Sequence, residues 1–439
     1  MIEYRNIRIA LLGAGSVGSQ VAGLLIEHRD ELAARVGTGL DLVGIAVRDP
    51  QRPRDPRIPE ALYTTDAESL ILGADIVIEL MGGLEPAREL LLLAMNSGAD
   101  VITANKALLA THGPELFAAA EQVGAQLYYE AAVGGAIPII RPLRDSLAGD
   151  RVERILGIVN GTTNYILDRM HSQGDSVQEA LAEAQRLGYA EADPTADVEG
   201  FDAAQKAAIL ASLAFHTAVP LEAVHREGIL GITLEQVAAA QRSGFVIKLL
   251  AVCERLTDAE RGIDGVSARG HPALVPAAHP LASVHGANNA VFLQAEAAGS
   301  LMFYGAGAGG LETASAVLGD VVSAARRHVV GGPGVAESTH ADLPALPIAM
   351  VTTRYQIGME VLDRPGVLAQ IALVLSDHGV SVETVQQTAA GAEAAAPAAT
   401  RVIGTHAATE AALAATVHAL ADSEVVSAVT SVLRVEGVS

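Results

Sequence analysis

The sequence predicts an α/β protein whose first third is a nucleotide-binding sheet and whose remainder forms two further α+β units. Three observations lead to this prediction. Apolar runs alternate with helical patterns from a glycine-rich turn onward, an acidic loop precedes a buried-looking helix in the middle, and a strand–helix pattern resumes after a Gly/Pro-rich segment. At 439 residues the chain is too long for one hydrophobic core, so several domains are expected.

The glycine-rich turn has the context of a dinucleotide-binding motif. An apolar run leads into "GAGSVG", which matches G-x-G-x-x-G at Gly13, Gly15 and Gly18, and a helical pattern follows. The first glycine permits a tight turn, the second lets the backbone approach a pyrophosphate, and the third lets helix and strand pack closely. The first N–H groups of the helix, at Ser16 and Val17, would face the phosphates. The motif predicts a Rossmann domain; a plain glycine turn is the alternative.

The end of the second predicted strand bears on the choice between NAD and NADP. An NAD site usually carries an acid there to hold the ribose 2′-hydroxyl. This chain has Arg48 after "DLVGIAV", with Arg52 and Arg54 close behind. A guanidinium cluster favours a 2′-phosphate and hence NADP, while Asp49 keeps NAD possible. A solvated basic loop is the alternative interpretation.

Later strands of the first third are predicted to end at polar residues. "ADIVIEL" and "DVIT" have the character of buried strands, and the second runs into Asn105 and Lys106. Ligands of open parallel sheets bind beyond the carboxyl ends of the strands, so Lys106 is a candidate site residue. From position alone, a surface lysine is an equally good interpretation.

The segment "GYAEADPTADVEGFDAAQK", residues 188–206, places five carboxylates ahead of one lysine. We predict that Asp197 caps a helix, so that Asp202 and Lys206, at i and i+4, share one of its faces. The ordinary interpretation is a helical ion pair worth ~0.2–0.5 kcal/mol. The helix continues as "AAILASLAF", however, which places the pair at the start of a buried element. A desolvated lysine there, with its pKa lowered by burial and by a second lysine, suits a proton-transfer role.

The last part of the chain is predicted to be a separate module. Residues 330–350 are rich in Gly and Pro and show little periodicity, so they are expected to form a linker. Beyond them, the alternation of strand and helix patterns has the order βαββαβ. A cut in this linker, after about residue 335, would then leave the preceding domains intact.

Composition excludes several classes of partner. The net charge of −22 argues against nucleic acid and against an anionic membrane surface, both of which attract basic faces. The chain has no apolar run of the ~18 residues needed to span a bilayer, and its N-terminus lacks the features of a signal peptide. A single cysteine, Cys253, rules out an internal disulfide framework and fits a cytoplasmic location. Small molecules and further copies of the chain are the expected partners.

Six segments resemble homoserine dehydrogenase in order and spacing: "GAGSVG", "VITANKALLA", "EAAVGGAIPII", "NGTTNYIL", "GYAEADPTADVEGFDAAQK" and "YGAGAGGLETASAVLGDVV". "DRPGVLAQIALVLSDHGVSV" resembles an ACT domain, the appendage of the longer bacterial forms. The resemblance covers nearly the whole chain. It implies NAD(P)-dependent interconversion of L-homoserine and L-aspartate 4-semialdehyde, in the biosynthesis of threonine, methionine and isoleucine.

The resemblance also implies roles for single residues. Lys206 matches the usual proton donor, Lys106 matches a second lysine facing the reacting oxygen, and Asp202 and Glu191 match carboxylates that hold the substrate, with Glu191 on its ammonium group. Further implied substrate positions are Gly188, Asn160 and Thr162, although the turn at Asn160 could serve only to shape the chain. Further implied cofactor positions are Thr103 and Gly309. A sodium ion is implied at the carbonyl oxygens of Glu130, Val133, Gly135 and Ile137, next to Ala136, where many members carry a glycine.

These patterns together predict the domain organisation and the regulation. The expected domains are a Rossmann domain at 1–135 with a return helix at 312–329, an α+β substrate-binding and dimerisation domain at 136–311, the linker at 330–350, and a ferredoxin-like ACT domain at 351–439. A homodimer or homotetramer is expected. The ACT domain is expected to bind L-threonine as an inhibitor, with another ligand or a purely structural role as alternatives. A cut after about residue 335 is then expected to leave an active enzyme that ignores threonine. A non-catalytic amino acid sensor is the competing function, and the presence of both lysines favours the enzyme.

Overall fold

Two β-sheets with flanking helices make up the chain. The computed structural model describes residues 5–332, 339–389 and 398–437. Within these residues the strands form a six-stranded sheet in the N-terminal part and an 11-stranded sheet that runs through the rest.

The N-terminal sheet is parallel and has the strand order β3-β2-β1-β4-β5-β6. In register, Leu11 of the central strand lies between Ile45 and Ile78 of its two neighbours. This arrangement confirms the predicted Rossmann domain. Its elements are β1 (Ile7–Leu12), α1 (Ser16–Glu27), α2 (Arg29–Val36), β2 (Leu40–Ala46), β3 (Tyr63–Thr64), α3 (Ala67–Leu72), β4 (Ile76–Glu79), α4 (Ala87–Asn96), β5 (Asp100–Thr103), α5 (Lys106–Val123) and β6 (Leu127–Tyr128).

The middle of the chain folds as strands of the larger sheet with helices packed against them. Its elements are β7 (Val152–Ile158), α6 (Gly161–Gln173), α7 (Val177–Leu187), α8 (Thr195–Val198), α9 (Phe201–Ala214), β8 (His225–Arg226), α10 (Leu234–Arg242), β9 (Phe245–Asp258), β10 (Ile263–Pro276), β11 (Asn288–Ala295), β12 (Gly299–Ala306) and α11 (Gly310–Val330). β12 lies at one edge of the sheet, in the order β12-β11-β7-β9-β10. Helix α11 leaves this sheet and packs its buried face, which includes Val317 and Val321, into the core of the Rossmann domain beside α1.

The C-terminal part has the predicted βαββαβ order, with one short extra strand. Its elements are β13 (Thr352–Leu362), α12 (Val367–Asp377), β14 (Val382–Ala389), β15 (Ala398–Thr405), β16 (Ala408–Thr409), α13 (Glu410–Ala421) and β17 (Val426–Val435). The strand order β17-β13-β15-β14 places the first and last main strands side by side, as in a ferredoxin-like fold. A separate apolar core, which includes Ile357, Ile371 and Leu413, lies under this part of the sheet.

The C-terminal module shares a sheet with the middle domain, which the sequence did not predict. Strand β17 pairs in parallel with β10 through Ala273–Arg434 and Leu274–Val435. The backbone N–H of Glu436 continues the contact by donating to the carbonyl of Leu274 at 3.0 Å. The two domains are therefore joined by main-chain hydrogen bonds as well as by the connecting segment.

The described part of the predicted linker packs along the middle domain. Leu346 N donates to Val266 O at 2.7 Å, and Val266 N donates to Pro344 O at 2.9 Å, so this stretch runs along β10. The Thr217 hydroxyl also donates to the carbonyl of Leu343 at 2.8 Å. The pairing could not be predicted from side-chain periodicity, because the contacts are made by the backbone of a segment that contains proline. Residues 333–338 of the predicted linker lie outside the described residues.

None of the helices within residues 5–332, 339–389 and 398–437 combines the length and the apolar composition needed to cross a bilayer.

Candidate active site

Asp202 lies at the centre of the candidate site, in the first turn of α9. Its Oδ2 accepts a hydrogen bond from Lys206 Nζ at 2.8 Å, and its Oδ1 lies 3.0 Å from Lys106 Nζ. Asp202 and Lys206 are one helical turn apart, and the rest of α9 is almost wholly buried. The Lys206 ammonium group also donates to Val159 O at 2.6 Å. The structure thus brings together the three residues that the sequence proposed for catalysis.

Lys106 reaches this centre from the Rossmann domain. It is the first residue of α5, whose start is capped by the Asn105 side chain accepting from Leu108 N at 3.1 Å. Its side chain is 43% exposed, against 10% for Lys206. The two cations that flank Asp202 therefore differ: Lys206 is enclosed by the substrate domain, and Lys106 is partly exposed. The region where the carboxyl ends of the parallel strands face the substrate domain at Lys106 is called the crevice below.

Opposing charges set the ionisation of the centre. Burial alone would raise the pKa of Asp202, but Lys206, Lys106 and the Asn160 amide outweigh it and hold this pKa well below its usual range. The charge of Asp202 raises the pKa of Lys106, against the opposite effect of burial, and Asp197 and Glu191 add to the rise. The pKa of Lys106 is thus raised rather than lowered, because the carboxylates dominate its surroundings.

The predicted N-cap of the substrate helix is wrong. Asp197 lies inside the short helix α8, and α9 begins after Gly200, which adopts φ +81°. A Cβ at Gly200 would lie 2.9 Å from Glu227 O, so the tight turn between the two helices favours glycine here. The carboxylate of Asp197 instead accepts a hydrogen bond from Asn160 Nδ2 at 2.7 Å.

The side chains of Asn160 and Thr162 are engaged within the protein. Asn160 Nδ2 also donates to Asp202 Oδ2 at 2.9 Å, while its Oδ1 accepts from Thr163 N at 2.8 Å and so caps α6. The Thr162 hydroxyl donates to Tyr189 O at 2.7 Å and ties α6 to the loop after α7. These contacts orient the acidic groups and the loop around them.

Gly188 and Glu191 lie on the exposed loop that borders the site. Gly188 ends α7 with φ +80°, and an added Cβ would meet no atom within 4 Å. Glu191 is exposed and close enough to Lys106 to affect its pKa. Of the remaining acids in the segment, Asp193 accepts from Thr195 N at 3.1 Å and from its hydroxyl at 2.6 Å, which is a structural contact.

The glycine-rich turn has the geometry needed to hold a dinucleotide. Gly13 adopts φ +102°, and a Cβ there would lie 2.7 Å from Leu80 O; at Gly18 it would lie 2.2 Å from Gly13 O. A Cβ at Gly15 would meet nothing within 4 Å, so the backbone before α1 borders open space. The N–H groups at the start of α1, at Ser16 and Val17, have no partner from the preceding turn of a helix and suit a pyrophosphate.

A second helix begins beside this turn. Gly309, with φ +132°, immediately precedes α11, and the following Gly310 approaches Ser16 so closely that a Cβ would lie 3.1 Å from its carbonyl oxygen. The amino-terminal ends of α1 and α11 are therefore neighbours. Both ends contribute favourable partial charges to an anion at this edge of the sheet.

Of the arginines after β2, Arg54 rather than Arg48 contacts the glycine-rich turn. Arg54 Nη1 lies 3.4 Å from Ala14 O, Nη2 donates to Asp49 O at 2.8 Å, and the guanidinium stacks over Tyr63 at 5.0 Å from the ring centroid. Arg48 is exposed at the end of β2. The sequence could place both near the turn but could not tell which of them folds back onto it.

Thr103 and a residue that the sequence missed, Glu79, form a buried pair at the ends of β5 and β4. The Thr103 hydroxyl donates to Glu79 Oε2 at 2.6 Å and accepts from Asn105 N at 3.0 Å. Thr103 therefore has a structural contact in addition to any contact with a cofactor. Its neighbour Glu79 ends an apolar run, "IVIE", and a charge at the end of a fully buried strand was the signal that could have drawn attention to it.

The four residues implied for sodium, Glu130, Val133, Gly135 and Ile137, lie in one tight segment at the domain junction. The Glu130 carboxylate is occupied by Ile139 N at 2.6 Å, Ile140 N at 2.8 Å and Arg141. Gly135, with φ +60°, packs so closely that a Cβ would lie 2.4 Å from Gly307 O. Any cation here would have to be held by backbone carbonyl oxygens, which are suitable donors for a hard ion.

The geometry defines a class of protein. An open glycine turn with an adjacent helix start lies on the same edge of a parallel sheet as Lys106, and Lys106 meets a buried Asp202–Lys206 pair from the second domain. The glycine turn would hold a nicotinamide cofactor, which supplies hydride transfer, and the two lysines are ammonium groups of the kind that suits proton transfer. The chain is an NAD(P)-dependent oxidoreductase with a C-terminal ACT domain.

Comparisons with known proteins identify the family. The family model "Homoserine dehydrogenase" matches residues 138–322, "Homoserine dehydrogenase, NAD binding domain" matches 13–130, and "ACT domain" matches 355–422. The chain is 54% identical to homoserine dehydrogenase of Corynebacterium glutamicum over 98% of its length and 96% of the relative's, and 53% identical to that of Mycobacterium tuberculosis over 99% of both. The chain belongs to the homoserine dehydrogenase family.

Solved structures of the family have the same fold. A homoserine dehydrogenase from Thiobacillus denitrificans superposes with a TM-score of 0.90 at 38% identity, covering 98% of each chain. One from S. aureus superposes with a TM-score of 0.76 at 31% identity, covering 99% of this chain and all of that one. The match extends through the ACT domain, so the family resemblance inferred from the motifs is confirmed.

Proposed function

We propose that the chain interconverts L-homoserine and L-aspartate 4-semialdehyde, with Lys206 and Lys106 at the reacting oxygen and Asp202 holding both. The observation that carries this proposal is the contact of one carboxylate with two ammonium groups from two domains. In homoserine oxidation the carbon that bears the hydroxyl group would give a hydride to the oxidised nicotinamide, while the hydroxyl proton passes to a lysine in its neutral amine form. In the reverse direction the same lysine protonates the developing alkoxide.

Lys206 is the proposed proton donor because its position is the more constrained. Its ammonium group is held between Asp202 Oδ2 and Val159 O, both within 2.8 Å, and its side chain is nearly enclosed. Lys106, at the edge of the crevice, is proposed to stabilise negative charge on the substrate oxygen. Its raised pKa supports this role, because it keeps the ammonium form populated near neutral pH.

Substrate recognition is proposed for the exposed acids around this centre. Glu191 offers an uncommitted position for the substrate ammonium group, and Gly188 leaves room beside it. Asn160 and Thr162 are proposed to act through the groups they orient, since their own hydrogen bonds go to Asp202, Asp197 and Tyr189. A carboxylate for the substrate ammonium group also fits the strongly negative character of residues 188–206.

NADP is the proposed cofactor, with NAD as a possible alternative. Arg48 and Arg54 supply guanidinium groups beside the predicted ribose position, and a guanidinium pairs well with a phosphate. A hyperthermophilic archaeal homoserine dehydrogenase, solved in complex with NADPH, superposes with a TM-score of 0.62 at 26% identity over 75% of this chain and 99% of that one. The sodium ion at residues 130–137 remains a proposal that rests on the family resemblance.

The ACT domain is proposed to bind L-threonine and to inhibit the enzyme. Its direct pairing with β10 gives an effector a route to the substrate domain that does not depend on the connecting segment. A homodimer or homotetramer in the cytoplasm is proposed, with the edge strand β12 available to pair with another copy.

Steady-state kinetics tests the proposal. Homoserine oxidation and aspartate semialdehyde reduction are to be measured with NADP(H) and NAD(H), with and without threonine. Turnover with homoserine that depends on Lys206 supports the enzyme. A chain that binds threonine and nucleotide but oxidises no homoserine would instead favour the amino acid sensor, which shares the Rossmann and ACT domains.

A further inference from the structure

A carboxylate outside the catalytic centre organises the end of β4. Glu79 is fully buried, and its Oε1 accepts hydrogen bonds from Met81 N at 2.7 Å and Gly82 N at 3.0 Å. Its Oε2 accepts from the Thr103 hydroxyl at 2.6 Å. All three donors are neutral, and they belong to the two strand ends that border the crevice.

These contacts continue directly to Lys106. The Thr103 oxygen accepts from Asn105 N at 3.0 Å, and Asn105 caps the helix whose first residue is Lys106. Asn105 Nδ2 also donates to Gly83 O at 2.6 Å, on the loop that Glu79 holds from its other oxygen. The loop 81–83 and the start of α5 are thus joined to each other twice, once through Glu79–Thr103 and once through Asn105.

We infer that Glu79 is a positioning residue for Lys106. Glu79 accepts the hydroxyl hydrogen of Thr103, so the Thr103 oxygen faces the backbone N–H of Asn105. This contact sets where α5 begins and where the side chain of Lys106 points. A neutral amide cannot replace the carboxylate: turned one way, its NH₂ group faces the Thr103 hydroxyl hydrogen, and turned the other way it faces two backbone N–H groups. Either orientation leaves a buried hydrogen-bond donor unpaired and disturbs the hydrogen bonds that connect Glu79 to Asn105. The inference rests on the proposed role of Lys106.

A second buried acid in the same sheet provides a matched control. Asp100 is 1% exposed and begins β5, at the opposite end of the strand that ends in Thr103. It accepts from Gln126 N at 2.8 Å and Arg327 Nη1 at 2.7 Å, far from the crevice side of the sheet. A purely structural role for Glu79 predicts that Glu79→Gln and Asp100→Asn behave alike.

The first experiment compares kcat, KM for homoserine and Tm in these two variants. For Glu79→Gln we expect kcat to fall about ten- to a hundredfold, the cost of a small misplacement of a reacting group, with KM within about threefold of wild type. For Asp100→Asn we expect a lower Tm with kcat within about twofold. If the wild type is active and Glu79→Gln has an unaffected kcat, the inference about Glu79 is wrong but the proposed function stands. If the wild type itself is inactive with homoserine, the proposed function is wrong as well.

A double-mutant cycle with Lys106→Ala separates positioning from general damage. If Glu79 acts through Lys106, then Glu79→Gln costs less than about threefold in kcat when Lys106 is already alanine. An equal loss in both backgrounds overturns the inference. Should Glu79→Gln fail to fold, Thr103→Val removes the hydroxyl from the other side of the same contact, and the same two outcomes apply.

Discussion

Lys106 Nζ lies 3.0 Å from Asp202 Oδ1, so that one ion pair joins the nucleotide-binding domain to the substrate domain. Asp202 shares its other oxygen with Lys206 at 2.8 Å. Binding of a substrate oxygen between the lysines would thus take place where the domains already meet. The arrangement explains why an acid is needed here: without Asp202, two ammonium groups would repel each other in a partly buried site.

Removal of the proposed proton donor is expected to act on turnover. Lys206→Ala should lower kcat by ~10²–10⁴-fold, the usual contribution of a positioned acid–base group, because no other ammonium group occupies its place between Asp202 and Val159. Cofactor binding should persist, since Lys206 belongs to the substrate domain. Stopped-flow or steady-state rates together with NADPH titration check both points. Near-normal turnover in the variant would exclude Lys206 as proton donor.

Cofactor preference is expected to depend on the arginines after β2. Arg48→Ala should raise the KM for NADPH more than the KM for NADH, because only NADPH carries a 2′-phosphate. Arg54→Ala should weaken both cofactors, since Arg54 also contacts Ala14 and Asp49 around the glycine turn. The four KM values distinguish a residue that reads the phosphate from one that supports the loop. Equal changes for both cofactors in Arg48→Ala would show that Arg48 does not read the phosphate.

Local patterns predicted the Rossmann sheet, the βαββαβ module and the Asp202–Lys206 pair, because each depends on spacing along the chain. The features that the sequence did not predict depend on contacts between segments that are distant along the chain. Helix α9 begins after Gly200 and not after the predicted Asp197, because Gly200 packs against Glu227. The C-terminal module shares a sheet with the middle domain because β17 pairs with β10. Neither contact leaves a periodic signal in the sequence.

A buried lysine outside the site should make stability depend on pH. Lys248 is 3% exposed, donates to Asn164 Oδ1 at 2.9 Å and to Val284 O at 2.6 Å, and has a pKa lowered by burial to about 8, against a partial opposing effect of Asp168. Between pH 8 and the ordinary lysine pKa of about 10.4, the unfolded chain holds more protons than the folded one. Stability from this group therefore rises with pH in that window and is constant below it.

Comparison with Lys248→Met isolates this effect. The difference in unfolding free energy, wild type minus variant, should increase between pH 8 and pH 10 by at most ~1.4 kcal/mol per pH unit. Denaturant unfolding at several pH values measures it, and the other titrating groups cancel in the difference. A constant or falling difference would show that Lys248 keeps an ordinary pKa in the folded state.

Loss of the C-terminal strand should destabilise the catalytic domain, contrary to the expectation of a removable module. Glu436 is 1% exposed, pairs with Arg269 at 3.2 Å and contacts Arg154, both from the middle domain. Glu436→Gln should cost about 3 kcal/mol or more, because among the described residues Glu254 is then the one acidic partner left to the buried Arg269. A cut after about residue 335, a position outside the described residues, removes β17 altogether and should lower Tm further.

The matched control for Glu436 is an exposed ion pair. Glu383 pairs with Arg354 at 3.1 Å, with side chains 38% and 30% exposed, so Glu383→Gln should cost no more than about 1 kcal/mol. Thermal and denaturant unfolding of both variants gives the comparison. A truncated chain as stable and as active as the full chain would restore the independent module.

Glu227 is expected to carry the effect of threonine from the ACT domain to the substrate helix. It pairs with Arg434 at 2.9 Å, and Arg434 in turn pairs with Glu410 of the ACT domain at 2.6 Å. On the catalytic side, the backbone of Glu227 packs against Gly200, and its neighbour Arg226 stacks on Phe201, the first residue of α9. A shift of the ACT domain would thus reach the helix that holds Asp202 and Lys206.

Glu227→Gln should leave kcat nearly unchanged and weaken inhibition by threonine at least about fivefold, the lower end of typical coupling between sites. The reason is that an effector acts only through differential affinity for two states, and the variant removes an ionic contact by which those states are sensed. Glu222→Gln, an exposed acid on the same segment, is the control and should keep full sensitivity. Curves of inhibition by threonine at a fixed homoserine concentration test this prediction. Unchanged inhibition in Glu227→Gln would show that the coupling between the ACT domain and the substrate helix does not pass through Glu227. A wild type that threonine does not inhibit would show that the ACT domain has a different ligand or only joins parts of the assembly.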